Sequence, residues 1–172
     1  TSDLAEARDL AVQKSNELRK YFLAMEQSGN TIVITDAKGN IEYANPKFTE
    51  VSGYSLPEAL GKNPRILNSG EHPREFYKYM WDTIKSGKLW RGEFHNKRKD
   101  GALYWEDTSI APVYDSTGRM INFIAVKEDI TFRKSLEEAE RDQHRLAEAL
   151  RDTAMALNST LKLDEILDRI LD

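Results

Sequence analysis

The spacing of hydrophobic and polar positions switches from helical to strand period and back again along the chain. Residues 2–28 repeat at helical spacing, with Ser2 or Asp3 placed to cap the start. Within them Leu4, Ala11, Leu18 and Met25 recur every seven residues, which predicts a pairing seam that Lys14 and Ser15 weaken in the middle. Gln27-Ser28-Gly29-Asn30 stops this helix. Thr31 to Thr35 and Ile41 to Ala44 then read as two strands around an Asp36-Ala37-Lys38-Gly39-Asn40 turn. Asn45-Pro46 opens a short helix that carries Phe48 and Val51 inward and ends at Gly53. Ser55-Leu56-Pro57-Glu58 has the spacing of a capping box and predicts a one-turn helix closed by Gly61. The stretch from Lys62 to His72 is irregular and rich in breakers, and Pro73 begins a longer helix with Phe76, Tyr77, Met80, Trp81 and Ile84 on one face and Gly87 at its end.

Two aromatic-bearing runs follow, Leu89 to His95 and Ala102 to Val113, separated by Asn96-Lys97-Arg98-Lys99-Asp100-Gly101. Asp and Gly tolerate the positive φ of a tight turn, so the pair predicts an antiparallel hairpin. A second turn, Asp115-Ser116-Thr117-Gly118, leads into an apolar strand from Met120 to Val126. From Ile130 the period is helical again. Leu136, Gln143, Leu150 and Leu157 form one heptad series and Ala139, Leu146, Thr153 and Thr160 the other, a coiled-coil pattern with Gln143 and Thr153 as polar seam members. Asn158-Ser159-Thr160 is expected to interrupt it before another amphipathic helix begins at Leu163.

Composition narrows the function classes. The chain has 172 residues, 31% of them charged, which suits one domain plus long exposed helices. A net charge of -4 gives no sign of a nucleic-acid surface, and Lys97-Arg98-Lys99 is too short to reverse that. Cysteine is absent, which excludes disulfides and thiolate chemistry. No apolar run approaches the roughly 20 residues that span a bilayer. The expectation is a soluble, cytoplasmic piece of a larger protein, without membrane contact. No nucleophile–base constellation, phosphate-binding glycine loop or paired metal spacing occurs, so the chain reads as a regulatory module and not as an enzyme.

In element order and local wording, residues 20–133 resemble the PAS sensor family. The residues that carry the likeness are Ile34-Thr35-Asp36, Tyr43-Ala44-Asn45-Pro46 with Phe48, Gly53-Tyr54, Trp90-Arg91-Gly92, Arg98-Lys99-Asp100-Gly101 and Asp129-Ile130-Thr131. The resemblance implies an α+β fold: a five-stranded antiparallel sheet of strand order 2-1-5-4-3, with short helices enclosing a pocket on one face and coiled-coil helices at both ends. It divides the chain into an N-terminal signalling helix (1–28), the PAS domain (29–131) and a C-terminal coiled-coil linker (132–160). Residues 148–172 resemble the opening helix of a GAF domain, which would start at 161–172. A parent histidine kinase of a two-component system, or a diguanylate cyclase, is implied, with a homodimer joined through both helical seams. The signal junction would comprise Arg98 or Lys99 pairing with Asp129, and Asp129 or Thr131 capping the output helix.

The same resemblance supplies ligand expectations. Asn63-Pro64-Arg65-Ile66-Leu67 is similar to the light-sensing (LOV) subclass, in which a cysteine stands at the position of Pro64 and forms the flavin adduct; that photochemistry is missing here. Asn63, Arg65 and Asn96 match flavin-contacting positions, whereas Glu106 and Lys127 stand where neutral amides are expected. Redox-sensing PAS domains that hold FAD are similar around Trp81, Trp90 and Asn96, with Trp81 facing the flavin and Asn96 bonding its ring, although an acid is expected at Pro64. His72 falls near the haem-ligating histidine of oxygen sensors, but a lone histidine before Pro73 is more often a capping or surface residue. A pocket without cofactor, or with a neutral small molecule, ranks ahead of FAD, and FAD ahead of haem. Besides signal relay, the readings are a FAD or haem redox or gas sensor, and a passive dimerisation spacer.

Overall fold

The structure of the chain is a computed structural model that describes residues 2–171. It divides into two units, Thr1–Thr131 and Phe132–Asp172. The first contains α1 (Ser2–Glu26), β1 (Thr31–Asp36), β2 (Ile41–Ala44), α2 (Pro46–Ser52), α3 (Leu56–Ala59), a 3-10 turn at Pro64–Leu67, α4 (Arg74–Lys85), β3 (Trp90–Lys97), β4 (Leu103–Tyr114) and β5 (Met120–Asp129). The strands form one antiparallel sheet in the order β2-β1-β5-β4-β3, as expected.

Local chemistry explains these elements. Asn45 caps α2 by accepting from the Phe48 N–H, and Gly53 ends it in the left-handed region at φ 77°. The Glu58 carboxylate accepts from both the N–H and the hydroxyl of Ser55 at the head of α3. Between α3 and α4 the expected irregular stretch contains one ordered turn, because the Asn63 side chain accepts from the Arg65 N–H and Pro64 supplies a helical φ. Gly29 does not take a positive φ, so α1 ends by carbonyl bonds from Gln27 and Ser28 and not by a glycine cap.

Asn45 does more than cap. Only 1% exposed, it accepts from the Ile32 N–H and donates to the carbonyls of Met25 and Asn30. One amide thereby ties the end of α1 to β1 and α2. Tyr43 adds a bond from its hydroxyl to Glu26 at 2.6 Å and a ring contact with Phe22.

The core lies on one face of the sheet, in two clusters. Val33, Ile41, Ala44, Phe48, Ala59 and Leu67 pack under α2 and α3. Met80, Ile84, Trp90, Phe94 and Phe123 pack under α4. Full burial of the Val, Leu, Ile, Phe and Met side chains among them stabilises the fold by about 1.5–3 kcal/mol each. Ile110 touches both clusters. Trp90 belongs to this core, and Trp105 stacks flat on His95 across the hairpin at 4.2 Å.

The second unit is the continuation of α5 (Thr131–Leu171). The expected break at residues 158–160 does not occur. Ser159 and Thr160 donate their hydroxyls to the carbonyls of Met155 and Ala156, one turn back, which lets polar residues continue a helix. The seam residues Leu136, Leu146, Leu150 and Leu157 are exposed, as are Ala139, Gln143 and Thr153. In the first unit Leu4, Ala11 and Leu18 are likewise exposed, while Met25 is half-buried. The GAF-like expectation for 161–172 rests on side chains that, apart from Ile166 and Ile170, lie outside the described residues. Among the described residues no helix is long and apolar enough to cross a membrane.

Candidate functional site: a cavity and a strand-end junction

Between the two core clusters the sheet and helices leave a cavity of about 380 Å³, within the range of small-molecule sites. All four residues expected to face a ligand, Asn63, Arg65, Trp81 and Asn96, line it. They come from three separate elements: the 3-10 turn and its cap, α4, and β3. Apolar walls are supplied by Val33, Met80, Ile84, Phe94 and Phe123. Gly39, from the β1–β2 turn, closes one edge. A Cβ there would stand 2.7 Å from the Trp81 ring, and its φ of 88° already excludes most side chains.

Lys127, on β5, is also a wall residue. Its ammonium donates to Glu106 at 2.8 Å, and the Asn96 Nδ2 donates to the same carboxylate oxygen at 2.8 Å. The side chains are 7% and 2% exposed, so this is a buried ion pair. Lys127 also sits over the Phe94 ring at 5.4 Å. Glu106 does not line the cavity but stands behind Lys127 and Asn96. In the sequence Glu106 and Lys127 stand beside other acids, Asp107, Glu128 and Asp129, so the pairing depends on the β4–β5 register, which no local pattern reveals.

Beside Glu106 lies Tyr104, fully buried, with burial and the nearby carboxylate pushing its phenol pKa up. The Arg98 guanidinium covers the Tyr104 ring at 4.5 Å. Arg98 also donates to the Val51 carbonyl at the end of α2 and to Asp129 at 2.9 Å. Asp129 in turn accepts from both the N–H and the hydroxyl of Thr131, the first residue of α5. Burial raises the Asp129 pKa, but its bonds to Thr131 and Arg98 outweigh that and leave it below the usual carboxylate range. Backbone bonds finish the joint: the Trp105 N–H donates to the Thr131 hydroxyl and its carbonyl accepts from Ile130.

Of the two basic residues offered for this junction, Arg98 takes it and Lys99 does not. Lys99 points instead to Glu58 on α3, at 2.5 Å. Arg98 stands at the base of the hairpin, bonded across to Ala102, whereas Lys99 lies in the turn with its N–H on the Ser52 carbonyl, which is why the two part company.

His72 is not a cavity residue. Its Nε2 accepts the His95 N–H at 2.8 Å and its ring stacks on Phe76. Glu71 holds the His95 ring at 2.5 Å, and the Ser69 hydroxyl donates to the His95 carbonyl. The histidine weighed as a haem ligand, and ranked below a capping or surface role, is a latch that fastens the segment before α4 to β3, with its Nε2 lone pair engaged. Burial, followed by the charge of His95, holds its pKa down. Among the described residues no cluster of His, Asp and Glu could hold a metal ion.

Comparison with known proteins gives a consistent picture. The PAS domain family matches residues 29–132. A nitrogen fixation regulatory protein of Klebsiella oxytoca is 42% identical over 130 residues, covering 76% of this chain and 26% of that protein. Phototropin-1A of Oryza sativa subsp. japonica is 34% identical over 121 residues, covering 68% of this chain and 13% of that protein. The chain thus spans about a quarter or less of these relatives. Among solved structures, a light-oxygen-voltage domain studied with a flavin analogue superposes with a TM-score of 0.60 at 26% identity, covering 72% of this chain and 96% of that one.

Proposed function

We propose that this chain, which belongs to the PAS domain family, relays a change at its cavity through the end of β5 into the helix that follows, as part of a multidomain signalling protein. The family is one of regulatory sensor modules. The observation that carries the relay reading is the placement of two residues on one strand. Lys127 stands in the cavity wall, and Asp129, two residues on and on the same strand face, caps α5 and pairs with Arg98. Displacing the first bears directly on the second. The exposed heptad residues of α1 and α5 support a parallel homodimer in which the α5 seams meet, and a downstream domain, GAF-like or enzymatic, would receive the movement.

Absence of cysteine allows a clean test. A single spin label at Arg141→Cys, on the exposed part of α5, reports the distance between the two copies in a dimer. A narrow distance distribution that shifts on Asp129→Ala supports relay. A dimer whose distribution ignores Asp129→Ala is the passive spacer, and a monomer by solution mass removes the seam.

A second reading, a flavin-binding sensor, is favoured by the convergence of Asn63, Arg65, Trp81 and Asn96 on one cavity. The residues fit a flavin ring: Lys127 can donate to a ring carbonyl, and the Asn96 amide oxygen, left over when its nitrogen serves Glu106, can accept a ring N–H. When bound, such a group would supply redox or light sensitivity. An absorbance spectrum of the purified chain decides it, by the presence or absence of flavin bands.

A further inference from the structure

The charges around the cavity are lopsided. Two cationic side chains line it, Lys127 at depth and Arg65 in the exposed turn, and no acidic residue does. Glu106, the only carboxylate bonded to Lys127 among the described residues, lies behind the wall. An ammonium has three N–H donors, and Glu106 uses one. Arg65 pairs with no carboxylate among the described residues, and its backbone N–H, not its guanidinium, bonds to Asn63. Trp81 and Phe94, with Met80 and Ile84, supply apolar wall on which a flat ring can lie, and the polar groups beside them, Thr35, Asn63, Asn68, Tyr77 and Asn96, are uncharged.

From this arrangement we infer that the ligand of the cavity is a planar organic anion, an aromatic carboxylate whose carboxylate group bonds Lys127. The inference deepens the relay reading and rests on the cavity being its sensory end. An arriving carboxylate competes with Glu106 for the Lys127 ammonium. Glu106 lies beside Tyr104, Tyr104 lies under Arg98, and Arg98 holds Asp129. The ligand class thus accounts for how occupancy is felt at the strand end: it loosens the pair on which this run of contacts begins. A neutral ring would fill the same space without drawing Lys127 away.

Titration calorimetry of the whole chain with naphthalene-2-carboxylate and its uncharged counterpart, naphthalene-2-carboxamide, tests the ligand class. The carboxylate is expected to bind about tenfold or more tighter than the amide, the lower end of what a charge-assisted hydrogen bond contributes. Glu106→Gln removes the competing carboxylate and should tighten carboxylate binding further while leaving the amide unchanged. Adding Lys127→Met to that variant, which spares the fold a lone buried charge, should abolish the preference. Equal affinities in the unsubstituted chain, a preference that survives the double substitution, no binding of either probe to the folded chain, or a tightly held flavin that neither probe displaces would each overturn the inference. A failure of relay alone leaves these affinities as stated, because they do not involve Asp129.

Discussion

Breaking the Glu106–Lys127 pair from either side has unequal consequences, and the inequality follows from where each charge lies. Loss of one partner from a buried ion pair costs about 3–5 kcal/mol, most of it from the charge left behind. In Glu106→Gln the survivor is the Lys127 ammonium, which keeps a hydrogen bond to the new amide oxygen, faces a cavity and rests on the Phe94 ring. Its cost belongs at or below the lower end, about 2–3 kcal/mol. In Lys127→Met the survivor is the Glu106 carboxylate, 2% exposed and held only by Asn96 among the bonds described above, so about 4–5 kcal/mol is expected. The double substitution removes both charges and should recover to within about 2 kcal/mol of the starting protein, since a neutral pair of similar volume is often no worse than the ionic one. Urea denaturation followed by circular dichroism reads all three. With a slope of roughly 2 kcal/mol/M, the two single substitutions shift the midpoint by about 1–1.5 M and 2–2.5 M. Stability of about 5–15 kcal/mol leaves most of these variants folded at room temperature. The reasoning is refuted if the double variant loses the sum of the two single losses, or if Glu106→Gln is the worse of the two.

Asn45→Ala should cost about 2–4 kcal/mol, because one buried amide serves Ile32, Phe48, Met25 and Asn30, and faster hydrogen exchange at the Ile32 and Phe48 amides would locate the damage. Glu58 is held down to about 2, first by its bond to Lys99 and then by Ser55. Its folded pKa lies below the unfolded one, so the stabilisation is present above about 4.5 and disappears as pH falls towards 2. In Lys99→Met the Glu58 titration, followed by side-chain carboxyl NMR, should move back up towards 4.5, and an unchanged titration would refute the role given to Lys99.

Much of this fold is written locally. Asn45-Pro46, Ser55 to Glu58 and the Asp-Gly turns each carry their own stop or start chemistry, and strand alternation places Phe94, Asn96 and Phe123 on the inner face. Asn63, Arg65, Trp81 and Asn96 were legible as pocket residues through family wording, although they lie on elements far apart in sequence. What escaped is whatever depends on register or on a choice between neighbours. Glu106 stands opposite Asp129 and Thr108 opposite Lys127, so the ion pair runs diagonally between two strands. Arg98 and Lys99 are chemically alike for an acid partner, and only the facing of each at the hairpin base decides which meets Asp129. The expected break at 158–160 failed because hydroxyl groups can bond within the helix as readily as they can end it.

The sheet pairing also explains why the strand end, and not its middle, is where a signal could leave. β5 pairs with β1 only as far as Thr31 opposite Lys127; beyond that rung, Glu128 and Asp129 are paired on the β4 side alone. Lys127 is thus the last residue of β5 gripped from both sides, and roughly 7 Å of strand separates it from Asp129. A strand paired on both edges resists displacement, because every ladder bond on each side must yield together. One paired on a single edge can tilt about that edge at less cost. Arg98 stands where this freedom begins, bonded to Asp129, to the end of α2 and to the Tyr104 ring. It therefore sets how far Asp129 can move before Thr131 loses its cap. On this geometry Arg98→Ala should widen the spin-label distance distribution on α5, whereas Asp129→Ala should shift it, and a pair of variants that act identically would show that the clamp and the cap are not separate parts.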